Sequence, residues 1–334
     1  MKRILLVTDA WAPQVNGVVR TLETIIKKLE EKGLEIKVIS PDMFRTLPLP
    51  IYPEIRLSLF PYRKLVKEIE SFKPDAIHIS TEGPLGWSAR KVCLKKGLRF
   101  TTSYHTKFPE YVNALTKLPL SWGYKIIKKF HSPSNAVMVA TKTLQQDLEK
   151  HGFENIVEWT RGVDMQLFNT RQKPALSLPK PVAVYVGRIS LEKNLEAFLE
   201  LELPGTKLLV GDGPQLDYLK SKYPNAIFTG AKFGHDLAAH YRSGDIFVFP
   251  SRTDTFGLVM LEAMACGLPV AAYPVTGPLD VIRESPAGCL DENLEKAIEK
   301  ALKAKKKDAV AHAKKYSWEA CAERFYENLM SCKN

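Results

Sequence analysis

The chain has 334 residues, 45% of them hydrophobic and 25% charged, which suits two folded α/β domains and excludes a disordered chain. The net charge is +11 and uneven: residues 1–170 hold 26 Lys and Arg against 17 Asp and Glu, residues 171–334 hold 22 against 20. A basic first half can meet nucleic acid, an anionic membrane or an anionic substrate, and charge alone does not choose among them.

Short apolar bursts alternate with helical patterns along the whole chain. Residues 4–7 (ILLV) read as a buried strand, 17–32 as a helix, and 35–40 (EIKVIS) as a second strand. Further strands are predicted at 76–79, 99–104 and 136–140, each followed by a helical segment. At 170–181 the pattern lapses into polar residues and prolines, a linker. A second series follows: strands at 182–187, 207–211, 226–230, 246–250 and 269–273. The charge run at 303–307 (KAKKK) reads as a solvated helix end, and 317–330 as a last helix with Ser317 as N-cap and Trp318 and Phe325 as anchors. Strand–helix–strand repeats imply parallel sheets with right-handed crossovers, so the fold class is α/β with two Rossmann-like domains. Their limits are predicted as 1–170 and 171–316, with 317–334 a separate C-terminal helix. Ligands of such sheets collect at the carboxyl ends of strands, here in a cleft between facing domains.

The five cysteines (Cys93, Cys266, Cys289, Cys321, Cys332) are scattered without a CxxC pair. Reduced thiols are the reading, not a disulfide framework or zinc site. The first apolar run stops at Asp9, too short for a secretory leader, and no apolar stretch approaches the roughly 20 residues of a spanning helix. The expectation is a cytoplasmic protein that touches a membrane only peripherally.

Three segments after predicted strands carry chemistry. In 251–272 (SRTDTFGLVMLEAMACGLPVAA), Asp254 and Glu262 flank seven residues, with a helix expected to start near Phe256. Free N–H groups at that helix end suit a diphosphate, Gly257 admits close backbone approach, and both carboxylates can accept from sugar or ribose hydroxyls. In 186–194 (VGRISLEKN), Arg188 can bind a diphosphate bidentately and Lys193 as a point charge. The run 209–216 (LVGDGPQL) holds Gly211 and Gly213 but Leu216 replaces the third glycine of a dinucleotide fingerprint, which disfavours an oxidoreductase.

The first of these segments resembles the E-x7-E signature of family 4 glycosyltransferases, with Asp254 where the first Glu usually stands. That resemblance implies the GT-B fold and transfer of a sugar with retention. It also implies that Arg188 and Lys193 neutralise the leaving diphosphate, and that Gly211, Gly213, Ala231, Thr255, Phe256, Gly257, Leu258 and Glu262 line the donor. The loop 11–18 (WAPQVNGV) takes the place of the family's Gly-Gly loop, with Asn16 for the first glycine and Gly17 for the second, both expected at the donor. In 103–111 (SYHTKFPEY), the resemblance implies that His105 faces the transferred sugar. The segment 161–164 (RGVD) matches the family's N-G-V-D with Arg161 in place of Asn, an interdomain turn or a ligand contact. The segment 315–319 (KYSWE) resembles the family's C-terminal helix start, which implies that 317–334 crosses back to the first domain.

No Asp-x-Asp motif sits at a strand end, so the reaction is expected to need neither metal nor cofactor, with Arg188, Lys193 and a helix N-terminus stabilising the leaving group. The donor is a nucleotide sugar, a UDP-sugar before GDP-mannose. By resemblance the acceptor is a diacylglycerol-type lipid on an anionic membrane, at the inner face of the cell membrane. Contact is assigned to Lys91, Lys95, Lys96 and Arg99, and to Lys125, Lys128 and Lys129. The latter three interleave with Trp122, Tyr124, Ile126, Ile127 and Phe130; a stripe such as Trp122, Ile126 and Phe130 is more commonly core, and the charge asymmetry of the first half favours the membrane. The alternatives are a soluble or polysaccharide acceptor, an epimerase, and a nucleic-acid-binding protein, the last without a supporting motif. A monomer or weak dimer is expected.

Overall fold

The computed structural model describes residues 2–14, 16–49, 55–110, 113, 118–283 and 285–330. The chain forms two compact units, one of Met1–Arg161 with Trp318–Asn334, the other of Gly162–Ser317.

In the first unit β1 (Arg3–Val7), β2 (Glu35–Ile39), β5 (Ala76–Ile79), β6 (Thr101–Tyr104), β7 (Val137–Val139) and β8 (Ile156–Glu158) form one parallel sheet in the order β2-β1-β5-β6-β7-β8. A small antiparallel ribbon, β3 (Thr46–Pro48) with β4 (Arg56–Ser58), stands apart. The apolar run of β1 is continuous because both faces of the sheet are covered. Leu5 and Val7 join Leu65, Ile69 and Phe130 on one face. Ile4 and Leu6 join Leu22, Ile25, Leu29 and Trp159 on the other, where Cys321, Ala322 and Phe325 of the helix Trp318–Met330 complete the cluster. Each large aliphatic or phenylalanine side chain in these clusters contributes about 1.5–3 kcal/mol by burial. Lys28–Glu319 (3.0 Å) and Lys32–Glu323 ion pairs fasten the same helix to the helix Gly17–Glu31.

The second unit repeats the plan with β9 (Val182–Val186), β10 (Thr206–Val210), β11 (Ile227–Phe228), β12 (Ile246–Phe249), β13 (Val270–Ala272) and β14 (Gly288–Leu290), ordered β11-β10-β9-β12-β13-β14 and all parallel. Tyr185, Ile189, Phe198, Leu209, Ile246 and Val248 lie in its core. In each sheet the chain first walks one way and then the other. The direction reverses between β1 and β5, and between β9 and β12, and loops part at such a switch point to leave a crevice.

Every strand predicted from the sequence is present. The ribbon, β8 and β14 are additional; each is three residues long, too short for a periodicity to show. The boundary needs correction: the second unit begins at Gly162, not after 170. Residues 162–170 pack with that unit, Val163 N–H donating to Tyr316 O (3.3 Å) and the Phe168 ring meeting Tyr241 edge-on. The lysines of 303–307 are exposed, Lys303 and Lys305 after the helix Leu294–Ala301 and Lys306 and Lys307 at the start of the helix Lys306–Ala313. Cys93, Cys266, Cys289 and Cys321 are free thiols, and Cys332 lies outside the described residues. No helix of the described residues is long and apolar enough to cross a membrane.

Candidate active site

At the β9/β12 switch point the backbone is shaped by three glycines. A Cβ on Gly187 would lie 2.7 Å from the Tyr185 hydroxyl, one on Gly211 only 1.8 Å from the Gly187 carbonyl oxygen, and one on Gly213 2.4 Å from the Ile189 carbonyl oxygen. The loops after β9 and β10 therefore touch backbone to backbone, joined by Gly187 N–H to Val210 O (3.0 Å) and Ile189 N–H to Asp212 O (2.8 Å). Gly211 and Gly213, read from sequence as donor-binding, are required by this packing. The loop is further pinned by the Tyr185 hydroxyl, which donates to Arg188 O (2.8 Å), and by Asn194, left-handed at φ 53°, whose amide donates to Pro250 O (3.1 Å) after β12.

That pinning brings Lys193 to Asp254, Nζ to Oδ2 2.7 Å, with the side chains 21% and 23% exposed. Arg188, half-buried, leaves the same loop two residues after β9. After β12 the chain runs through Asp254, Thr255 and buried Phe256 to Gly257, which caps the helix Leu258–Ala265 in a left-handed conformation (φ 82°). The helix starts two residues later than predicted, because the left-handed Gly257 cannot join it. Glu262 sits one turn in, 7% exposed, and accepts from the Tyr241 hydroxyl at 2.8 Å. Ala231 is exposed beyond β11. The predicted cation pair, first carboxylate and helix N-terminus thus share one sheet edge.

In the first unit, Asn16 accepts from Val18 N–H (3.0 Å) and Val19 N–H (3.1 Å), capping the helix that Gly17 opens. Its side-chain oxygen is committed to the cap. Asp9, two residues beyond β1, is a buried carboxylate that the sequence motifs do not single out. Its carboxylate accepts from Leu85 N–H (2.9 Å), Gly86 N–H (3.1 Å) and the Thr81 hydroxyl (3.0 Å), capping the helix Pro84–Lys96 from a distant strand. Burial holds its pKa above the ordinary value, with the neighbouring N–H groups opposing the rise. Only its place, a carboxylate ending an apolar strand, could have flagged it.

His105 ends β6 and is half-buried. Arg161 donates to its Nδ1 at 3.2 Å. Behind it lies a buried polar chain: His78 within 2.8 Å of the Thr101 hydroxyl and 2.7 Å of the Ser103 hydroxyl, and His131 within 2.8 Å of Thr102 Oγ1 and 3.2 Å of Glu82. Burial lowers the pKa of His78 to about 3, so it is neutral. Tyr111, at the end of the predicted motif, lies outside the described residues.

The basic segments split. On the helix Pro84–Lys96, Lys96 pairs with Glu70 (2.7 Å) while Lys91 and Lys95 lie over the Tyr62 ring; Arg99 follows, exposed. On the helix Leu120–His131, Tyr124, Ile127 and Phe130 are buried, whereas Trp122 is 64% and Ile126 53% exposed. Trp122 and Ile126 are therefore surface residues and only Phe130 of the predicted stripe is core. Lys125, Lys128 and Lys129 stand beside them, exposed.

A family profile described as Glycosyltransferase Family 4 matches residues 15–167, and one described as Glycosyl transferases group 1 matches 180–305. The chain belongs to the family 4 glycosyltransferases. It is 34% identical over 82% of its length to the sulfoquinovosyl transferase SQD2 of Arabidopsis thaliana, of which it spans 60%. It is 28% identical to a GDP-mannose-dependent alpha-mannosyltransferase of Mycobacterium tuberculosis, over 86% of this chain and 83% of the other. It is also 28% identical to the alpha-monoglucosyldiacylglycerol synthase of Streptococcus pneumoniae, over 81% and 71%. Among solved structures, sucrose-phosphate synthase from Thermosynechococcus elongatus superposes with a TM-score of 0.78 over the whole of both chains at 20% identity. The fold is accordingly of the GT-B class and the chain is a hexosyltransferase.

Proposed function

We propose that this glycosyltransferase moves a hexose or hexuronic acid, with retention and without a metal, from a nucleotide-diphosphate sugar to a diacylglycerol-type lipid at an anionic membrane surface. The observation that carries the acceptor is the outward pair Trp122 and Ile126 beside Lys125, Lys128 and Lys129. An exposed apolar stripe flanked by cations is what an interfacial helix presents to anionic lipid. The diacylglycerol-glycosylating relative supports the same acceptor.

The donor lies on the second unit's strand-end loops, against Gly211, Gly213, Ala231 and the segment Thr255, Phe256, Gly257, Leu258. Arg188 and Lys193 meet the charge that develops on the departing diphosphate, as fixed cations that need no reorganisation. Asp254 orients Lys193 through their ion pair, and Glu262 accepts from donor hydroxyls. Asn16 and Gly17 border the donor, and His105 the transferred sugar. Retention without a carboxylate nucleophile requires front-face substitution, the departing phosphate helping to deprotonate the acceptor. Asp9 is no nucleophile in this reading, because backbone N–H groups and Thr81 occupy both its oxygens. UDP-sugars stand first as donors and GDP-mannose next, the latter supported by the mannosyltransferase relative.

The test is incubation with liposomes of anionic lipid and diacylglycerol and a panel of labelled UDP-glucose, UDP-galactose, UDP-glucuronate and GDP-mannose, with and without chelator. Label in the lipid extract, undiminished by chelator, is expected. Label that stays in water removes the lipid acceptor, and a strict metal requirement removes the metal-free step. The double variant Trp122→Ser, Ile126→Ser should abolish liposome binding at unchanged melting temperature, because both side chains already face solvent.

A further inference from the structure

Just beyond β8 lies a buried cation that, among the described residues, has no anionic partner. Arg161 is 4% exposed, and its Nη1 donates to the carbonyl oxygens of Trp159 (2.5 Å) and Thr160 (3.1 Å). Its guanidinium sits 4.3 Å from the centre of the Trp159 ring. Trp159 is itself held by its indole N–H, which donates to Cys321 O (3.2 Å), and by the Phe325 ring at 4.8 Å. Among the described residues no carboxylate pairs with Arg161; its remaining polar partner is Nδ1 of His105. Cys321 does not supply the anion, since burial pushes its thiol up to about 11. A buried guanidinium ordinarily takes a carboxylate, and this one is held by carbonyls, a ring face and an imidazole.

The geometry decides the state of that imidazole. A guanidinium only donates, so Nδ1 of His105 accepts and carries no proton, which leaves the ring proton on Nε2. Protonating His105 would turn Nδ1 into a donor against a donor and set a second cation against the first. Burial, the Arg161 charge, and then His78 from β5 and His131 from the helix Leu120–His131 all hold the ring's pKa well below the usual histidine range.

We propose that Arg161 is a positioning residue for the transfer, fixing His105 as the neutral tautomer with its proton on Nε2, where a hydroxyl of the transferred sugar accepts it. This rests on the reading of His105 as the sugar contact. A neutral ring donates to that hydroxyl without adding a second cation at the end of β6. Held by Trp159, Arg161 fixes the ring's orientation as well as its tautomer, and second-layer partners of this kind set the geometry of reacting groups.

Two measurements test it. Imidazole 15N shifts of the whole protein, with His105 assigned by difference from His105→Gln, should show an unprotonated Nδ1 and no titration between about pH 5 and 8. A proton on Nδ1, or titration near the ordinary value of about 6.5, overturns the proposal whatever any variant does. In transfer assays, Arg161→Met should lower kcat roughly 10-fold to 100-fold with little change in donor KM, and Arg161→Lys should recover part of the loss. In a His105→Ala background Arg161→Met should cost nothing further. An equal loss in both backgrounds shows that Arg161 acts on its own and sinks the positioning role. Wild-type transfer by His105→Ala instead removes the sugar-contact reading, and the positioning role with it, while the spectra still report on the tautomer.

Discussion

The two switch points solve one problem in different materials. In the second unit the strand-end loops are shaped by absent side chains: Gly187, Gly211 and Gly213 let backbone meet backbone, and the charged groups Lys193 and Asp254 remain about one-fifth exposed. In the first unit the strand ends are held by largely buried polar side chains, Asp9 under one helix N-terminus and His78, His131, His105 and Arg161 around β6. The diphosphate of the proposed donor is met by partly exposed cations on a rigid frame. The sugar hydroxyl of the proposed reaction is uncharged, and the ring proposed to meet it, His105, is held neutral by burial and by the Arg161 charge beside it.

The largest expected effect tests the glycine frame. Gly211→Ala sets a Cβ against the Gly187 carbonyl, and overpacking of this kind costs about 3 kcal/mol. Gly230→Ala, at φ 74° with nothing within 4 Å, should cost about 1 kcal/mol, for the left-handed backbone alone. Urea unfolding of the two variants checks the difference. Equal losses would mean that the close approach of the loops is not what requires Gly211.

Glu262→Gln comes next. It keeps an acceptor for Tyr241 and removes the charge, so the fold should persist while kcat/KM falls roughly 100-fold, the worth of a buried hydrogen bond to a charged group. Wild-type activity would mean that the donor is not bound there. Lys193→Ala should lower kcat roughly 30-fold, and more than it raises donor KM, because in the proposed reaction the cation serves charge that appears only as the diphosphate leaves. If KM alone moves, Lys193 binds donor and transition state equally.

How much of this was legible differs between the units for a physical reason. The second unit's candidate site is contiguous: Arg188 and Lys193 lie in one segment and Asp254 to Glu262 in another, a loop and the helix it opens, each announced by the strand before it. The first unit's is not. Arg161 meets His105 across 56 residues, and Asp9 meets Leu85 across 76, so no local pattern contains either contact. The helix Leu120–His131 shows a different limit. Its apolar residues fill two stripes, and spacing alone cannot say which faces inward; the structure buries Tyr124, Ile127 and Phe130 and leaves Trp122 and Ile126 outside.

The smallest expected effect separates the units by acid. His78 has a folded-state pKa of about 3 against an ordinary 6.5, lowered by burial alone, with its nitrogens held by Ser103 and Thr101. A depressed histidine pKa gives stability that is intact above the unfolded value and lost as pH falls toward the folded one, because the unfolded chain takes up a proton that the folded chain refuses. The loss should run at about 1.4 kcal/mol per pH unit below about pH 6. His78→Gln, which keeps a donor and an acceptor in the site, should remove that slope while starting from lower stability at neutral pH. The readout is the difference in urea unfolding free energy between pH 7 and pH 5, wild type against variant. Parallel pH profiles would show that the buried polar chain of the first unit is not what acid attacks, and the contrast between a polar-held and a glycine-held sheet edge would then lose its thermodynamic consequence.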